Sequence, residues 1–232
     1  MTPKIYNVGK TIIPKAEILK LENKTVNSII SKRPVNFVAF SCQLHDIGRA
    51  FQARNEVPCL NKHAKRFAQR LVNLGDNNLA GIIYSLLIKL NAGNPEIVEQ
   101  IATAALAIAK RFHDPVHIMA RANDLKEIYK ITKPASREHL NALLTERRAL
   151  SQICTDYDKV QKRFMSLSRK MKPIKGYELK LAAVRYEIAE IMYKSDKNAA
   201  REHLLAAREI VQKYQQGNLF RKIENLLREI DK

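Results

Sequence analysis

Short helix-breaking signals recur along this chain at nearly regular intervals, and they limit its fold more tightly than any other feature. They are Asn55-Glu56-Val57-Pro58, Gly75-Asp76-Asn77-Asn78, Gly93-Asn94-Pro95, His113-Asp114-Pro115, Thr132-Lys133-Pro134, Lys172-Pro173-Ile174-Lys175-Gly176, Ser195-Asp196 and Gly217-Asn218. Most blocks between them run about 16 to 20 residues and are built of Ala, Leu, Ile, Lys, Arg and Glu, the residues that lose least on entering a helix. Each Pro falls where a first helical turn tolerates it, and Gly, Asp or Asn falls where a helix stops or is capped. Connections this short join antiparallel neighbours. The pattern predicts an all-α chain of helical hairpins over residues 34–232.

Sliding the chain by 102 residues supports a duplication. Residues 104–130, "AALAIAKRFHDPVHIMARANDLKEIYK", align with 206–232, "AAREIVQKYQQGNLFRKIENLLREIDK", with eight of 27 positions identical and the turn signal in the same place. Residues 135–172 depart from the rhythm, because neither Gly nor Pro interrupts them after Pro134. Leu140, Leu143, Leu150, Ile153, Tyr157, Val160, Phe164, Leu167 and Met171 keep one apolar phase there, with Arg147 as the polar interruption. One long helix is expected near 135–172, a break near Thr155-Asp156 being the alternative. Residues 1–33, with Pro3, Gly9, Pro14 and recurrent Lys, read as a basic N-terminal arm, mobile or loosely docked, with a short helix near Thr25–Ser31.

The stretch "LHDIGRAF", residues 44–51, admits two readings. Leu44, Ile47, Gly48 and Phe51 match the W-x2-L-G-x2-Y spacing of the tetratricopeptide repeat, with Leu for Trp, and Leu60, Ala64 and Phe67 follow in the next helix. A second match lies at 185–210, through Ile188, Ala189, Met192, Asp196, Ala200, Leu204 and Ala207. Weaker matches involve Gly93, Val98, Ala102 and Ala105, and then Leu125 and Tyr129. The chain thus resembles the tetratricopeptide-repeat-like helical repeat superfamily over roughly 34–232. That resemblance implies a right-handed superhelical stack of antiparallel hairpins, a TPR-like α-solenoid.

The other reading takes His45-Asp46 as the metal-binding dipeptide of an HD-type phosphohydrolase. Such enzymes resemble one another in an upstream His ligand, and His45 is the first histidine here; Lys62 and Lys65 flank the next one, His63. His113 and His117 have the spacing of a zinc pair, but Asp114-Pro115 starts a new helix between them. No Gly-rich phosphate loop, nucleophile elbow or Cys-His-Asn constellation occurs. The expectation is a non-enzymatic chain with no cofactor and no metal.

The resemblance implies that the inner face of the first helices holds a partner. In this sequence those positions are His45, Arg49 and Gln52 in the first hairpin, Tyr84, Asn123, Glu127 and Lys130 in the middle, and Tyr186, Glu190 and Tyr193 in the last. Charge supplies a second candidate surface. The formal net charge is +18, with 13 Lys and Arg against four Asp and Glu in 1–75, six against six in 76–132, and 22 against 13 in 133–232. Lys159, Lys162, Arg163, Arg169, Lys170 and Lys172 cluster in an anion-contacting patch.

Three cysteines, Cys42, Cys59 and Cys154, stand far apart with no Cys-x-x-Cys pair, which fits small buried residues in a reducing compartment. No run approaches a membrane span and the first thirty residues build no signal-peptide core, so a cytoplasmic protein with no membrane partner is expected. The functional expectation is a protein-protein interaction module or adaptor for an acidic protein partner. A nucleic-acid-associated helical-repeat protein is the alternative, and a degenerate HD-type hydrolase the third.

Overall fold

A computed structural model describes residues 14–166 and 171–232, and among these it contains eleven helices and no strand. They are α1 (Pro14–Ile30), α2 (Phe37–Ala53), α3 (Val57–Asn73), α4 (Asn77–Leu90), α5 (Pro95–Arg111), α6 (Pro115–Thr132), α7 (Arg137–Thr155), α8 (Tyr157–Ser166), α9 (Ile174–Met192), α10 (Lys197–Lys213) and α11 (Gly217–Ile230). Every turn signal read from the sequence lies at a helix boundary. None of the described helices is long and apolar enough to cross a membrane.

Four of the connections share one backbone solution. Asn55, Gly75, His113 and Gln215 take left-handed φ values of 57°, 83°, 49° and 54°. The next residue then donates its N–H five residues back: Glu56 to Phe51, Asp76 to Leu71, Asp114 to Ala109 and Gln216 to Val211. This is the Schellman closure, in which the orphan carbonyls of a helix end are satisfied before the chain turns. The same residue is also the N-cap of the following helix, and at Asp76 and Asp114 its carboxylate accepts the first free N–H groups. His113 and Gln215 lie 102 residues apart, so the duplicated segments share their turn as well as their apolar positions. Gly217, read as a stop, is instead the first residue of α11, because Gln215 already supplies the left-handed position.

The chain divides into two compact units, the first ending at Ile101 and the second beginning at Ala102. In the first, α1 packs on α2 and α3, and α4 packs on both α2 and α3. Leu44, Phe51, Leu60, Phe67, Leu71, Leu79, Ile83 and Leu87 fill its core. Phe40 meets Phe67 edge-on at 5.9 Å, and the buried amides of Asn61 and Asn91 exchange two hydrogen bonds of 2.9 Å each. Gly48 lies against α4: a β-carbon there would stand 3.2 Å from Leu86 Cδ2 and from Leu90 Cδ1. The expected loosely docked arm is corrected over 14–30. Ile18, Leu21 and Val26 of α1 are buried, since their spacing makes one apolar stripe while the lysines point away. Residues 1–13 lie outside the described residues.

In the second unit α6 packs on α7, α7 on α9, α9 on α10 and α10 on α11. Helix α9 is apolar on two sides because it is sandwiched. Tyr177, Leu181, Val184 and Ile188 meet Leu143, Leu150 and Ile153 of α7. Ala182 and Ala189 let α10 approach closely, where Ala200, Leu204, Ala207 and Val211 join Ile223, Leu226, Leu227 and Ile230 of α11.

Of the two readings of 135–172, the break near Thr155-Asp156 is the one found: α7 ends at Thr155 and α8 starts at Tyr157, which corrects the single long helix. Asp156 leaves helical geometry at φ −104° and ψ 25°, ending α7. Asp is a weak helix former that competes for backbone groups. The break aims Tyr157 at α9, where its ring lies 6.4 Å from that of Tyr177 and its hydroxyl donates to the Lys172 carbonyl at 2.8 Å. The cysteines are free, but Cys42 and Cys59 are exposed on the outward faces of α2 and α3 rather than buried, and Cys154 is half-buried.

Candidate functional site

The positions assigned to an inner face separate by burial. On α2, Arg49 and Gln52 are exposed and His45 half-buried, opposite the buried Leu44, Ile47 and Phe51. Tyr84 is corrected: at 5% exposure it belongs to the core of α4, and burial pushes its hydroxyl above the usual tyrosine range. Sequence position alone made it a surface candidate, but it lies next to the buried Ile83 on the face packed into the first unit.

In the second unit, Glu127 and Lys130 are exposed on α6 and Asn123 is half-buried beside them. Tyr186 on α9 and Tyr193 at its C-cap are half-buried with their rings against the α10–α11 core, while Glu190 is exposed. The Tyr186 hydroxyl donates to Glu190 Oε1 at 2.7 Å. Burial, then Glu190 and Glu229 of α11, hold that hydroxyl far above its ordinary value, so it stays a donor. Lys194 sits 5.7 Å over the Tyr193 ring.

Beneath these residues lies a charge network that the sequence reading missed. Glu146 of α7 is 0% exposed, 2.7 Å from Lys180 Nζ of α9 and 3.6 Å from Lys126 Nζ of α6. Lys126 also lies 3.5 Å from Glu187 of α9 and 3.1 Å from Glu127. Burial pushes the Lys126 ammonium down, but Glu146, Glu187 and Glu127 together hold it above the ordinary lysine value. Glu187 moves up, through burial that Lys126 only partly offsets. The polar interruption of the α7 stripe is therefore Glu146, at the 3–4 spacing between Leu143 and Leu150, and Arg147 lies at the stripe's edge, half-buried. The network ties α6, α7 and α9 to one another.

Of the anion-contacting patch, Lys159, Lys162 and Lys172 are exposed, and Lys159 Nζ lies 3.5 Å from Asp156. Arg163 is on α8, while Arg169 and Lys170 lie outside the described residues. The His45-Asp46 dipeptide is not gathered with other ligands: Asp46 lines a cleft between α1 and α2 with Glu17, Lys20, Lys24 and Gln43. No group of three or more His, Cys, Asp or Glu that could hold a metal occurs among the described residues. His113 precedes α6 and His117 lies within it, its Nδ1 2.9 Å from Asp114.

No family model matches the chain, and no curated protein matches it. Among solved structures it resembles the crystal structure of BtubC (BKLC) from P. vanneervenii, at 14% identity and a TM-score of 0.50, over 94% of this chain and 90% of that one. The likeness concerns the helical fold.

Proposed function

We propose that this chain is a non-enzymatic interaction module whose hairpins continue as a tetratricopeptide-like right-handed stack and which binds an acidic segment of another protein. The observation that carries the reading is the α9 surface of Tyr186, Glu190 and Tyr193. Two aromatic rings there are anchored on the core at one edge and open at the other, and the Tyr186–Glu190 hydrogen bond fixes the first of them before any partner arrives. Pre-set aromatic side chains lower the entropy cost of binding and are the residues on which interfaces concentrate their energy. The net charge of +18 favours an acidic partner, with Lys130 exposed on α6 and Lys194 exposed over the Tyr193 ring. Binding of a set of acidic peptides, measured by fluorescence anisotropy with the wild type and Tyr193→Ala, tests this. The reading requires that the substitution weaken binding at constant salt.

A second reading, nucleic-acid association, is favoured by the basic residues around α8. Lys159 is 86% exposed on its side chain, and Lys162 and Lys172 also face solvent. Contacts from such residues would reach phosphates and carry no sequence information. Affinity would then fall steeply with salt and ignore Tyr193.

A further inference from the structure

A second cluster, which neither the inner-face positions nor the α8 patch includes, lies where α7, α9 and α10 come together. Its members are Arg147, Arg185 and His203, one from each helix. Register places them together. Arg185 falls on α9 between the stripe that meets α7 (Leu181, Val184, Ile188) and the positions that meet α10 (Ala182, Ala189). Arg147 flanks Leu143 and Leu150, which face α9, and His203 flanks Ala200, Leu204 and Ala207, which also face α9. Burial disfavours a charge on the imidazole, and the charges of Arg147 and Arg185 disfavour it further.

Three features of this cluster are unusual for a structural one. His203 is only 8% exposed, yet its Nδ1 is buried with no hydrogen-bond partner, and the buried Nε of Arg185 is likewise unpartnered. Neither arginine has a carboxylate within ion-pair distance among the described residues; Glu209 is the acid that acts on Arg185, from farther away. Of the other acids on α10 and α11, Glu224 pairs with Arg208 at 3.3 Å and Asp231 with Arg201 at 3.5 Å, Glu229 acts on Tyr186, and Glu202, the residue before His203, is exposed. Buried polar groups are normally satisfied, and like charges are normally kept apart, so a partly buried set of uncompensated donors is chemically suited to an anion.

We propose that Arg147, Arg185 and His203 form a binding site for a tetrahedral oxyanion of the phosphate class. Two guanidinium forks and one ring N–H from three helices match the several acceptor oxygens of such a dianion better than the two of a carboxylate. His203 is held down to about 4, first by burial and then by Arg147 and Arg185, so the imidazole is neutral until an anion binds. An arriving dianion reverses the local field and favours the imidazolium. Binding therefore takes up a proton.

The test is titration calorimetry on the full chain at constant ionic strength, with sulfate as the main probe because it does not titrate between pH 5.5 and 7.5. Wild type should bind sulfate at least tenfold more tightly at pH 5.5 than at pH 7.5, with proton uptake seen as a dependence on buffer ionisation heat. Arg185→Gln and Arg147→Gln, both at half-buried positions, should each weaken binding at least tenfold while leaving the circular dichroism unchanged. His203→Gln should bind at pH 7.5 but lose the gain at pH 5.5. Inorganic phosphate and phosphoserine at pH 7.5 then separate a free ion from a phosphorylated side chain as the natural source. Absence of sulfate binding at either pH, unchanged affinity in both arginine variants, or a pH gain that persists in His203→Gln each overturns the proposal.

Discussion

Replacing Glu146 is the substitution with the largest consequence that the structure specifies. Its carboxylate is fully buried and balances Lys180 at 2.7 Å and Lys126 at 3.6 Å. Removing one partner of a buried pair costs about 3–5 kcal/mol, because the other charge is left without compensation. Here two features reduce that. Lys126 keeps Glu187 at 3.5 Å and Glu127 at 3.1 Å, and the Lys180 side chain, 35% exposed, can turn to water. Glu146→Leu should therefore cost about 3 kcal/mol, and Glu146→Gln, which keeps the volume and some hydrogen bonding, about 2 kcal/mol. Pairing Glu146→Leu with Lys126→Met removes both charges from the interior, so the double variant should be more stable than the sum of the singles by 1 kcal/mol or more. Urea unfolding followed at 222 nm at pH 7 measures all five proteins, the Lys126→Met single included. The pH dependence is a further check. A lysine held above 10.5 contributes its stability below that pH and loses it as pH rises through the folded value, so wild type should lose more than Glu146→Leu in alkali. A cost below about 1 kcal/mol for Glu146→Leu, with additive singles, would refute the network as a structural element.

Other outcomes follow from single residues. Gly48→Leu should destabilise by about 1–3 kcal/mol by overpacking Leu86 and Leu90, whereas Gly48→Ala should stay within about 1 kcal/mol of wild type, because leucine ends can shift and alanine favours the helix. Ala135, left-handed at φ 56°, should tolerate Ala135→Gly with a gain of about 0.5–1 kcal/mol in thermal unfolding. His203, with its folded value lowered from 6.5 to about 4, contributes stability above pH 6.5 that is lost as pH falls toward 4. His203→Gln should flatten that part of the stability profile, by on the order of 2 kcal/mol. Neutralising Lys159, Lys162 and Lys172 should leave stability within about 0.5 kcal/mol while abolishing any duplex binding that depends on charge.

The parts of the fold legible in the sequence are those set by local chemistry. Pro95, Pro115, Asp76 and Asp114 mark helix starts because their backbone preferences act within one turn, and the structure places a start at each. The duplication was legible for the same reason, down to the shared turn at His113 and Gln215. What failed depended on distant partners. Asp156 breaks the 135–172 segment with neither Gly nor Pro, so the break near Thr155-Asp156 was legible only as the alternative to one long helix, and the contact of Tyr157 with Tyr177 decides for it. The α1 stripe of Ile18, Leu21 and Val26 was present, but the lysines between them dominated a reading made without α2 and α3. Glu146 resembles any surface glutamate until Lys126 and Lys180 arrive from two other helices. Tyr84 and the Arg147–Arg185–His203 cluster are misread or missed for the same reason.

The most direct test of the interaction-module reading is a comparison of an acidic peptide and a generic DNA duplex as ligands, each titrated by fluorescence anisotropy from low to moderate salt. The proteins are wild type, Tyr193→Ala and Tyr186→Phe, the last of which removes only the hydroxyl that donates to Glu190. The account predicts that the peptide binds, that Tyr193→Ala weakens it at least fivefold and Tyr186→Phe by less, and that both losses persist as salt rises, because they come from side-chain contact and pre-organisation. It is contradicted if the duplex binds more tightly than any acidic peptide, with an affinity that falls steeply with salt and is the same in all three proteins.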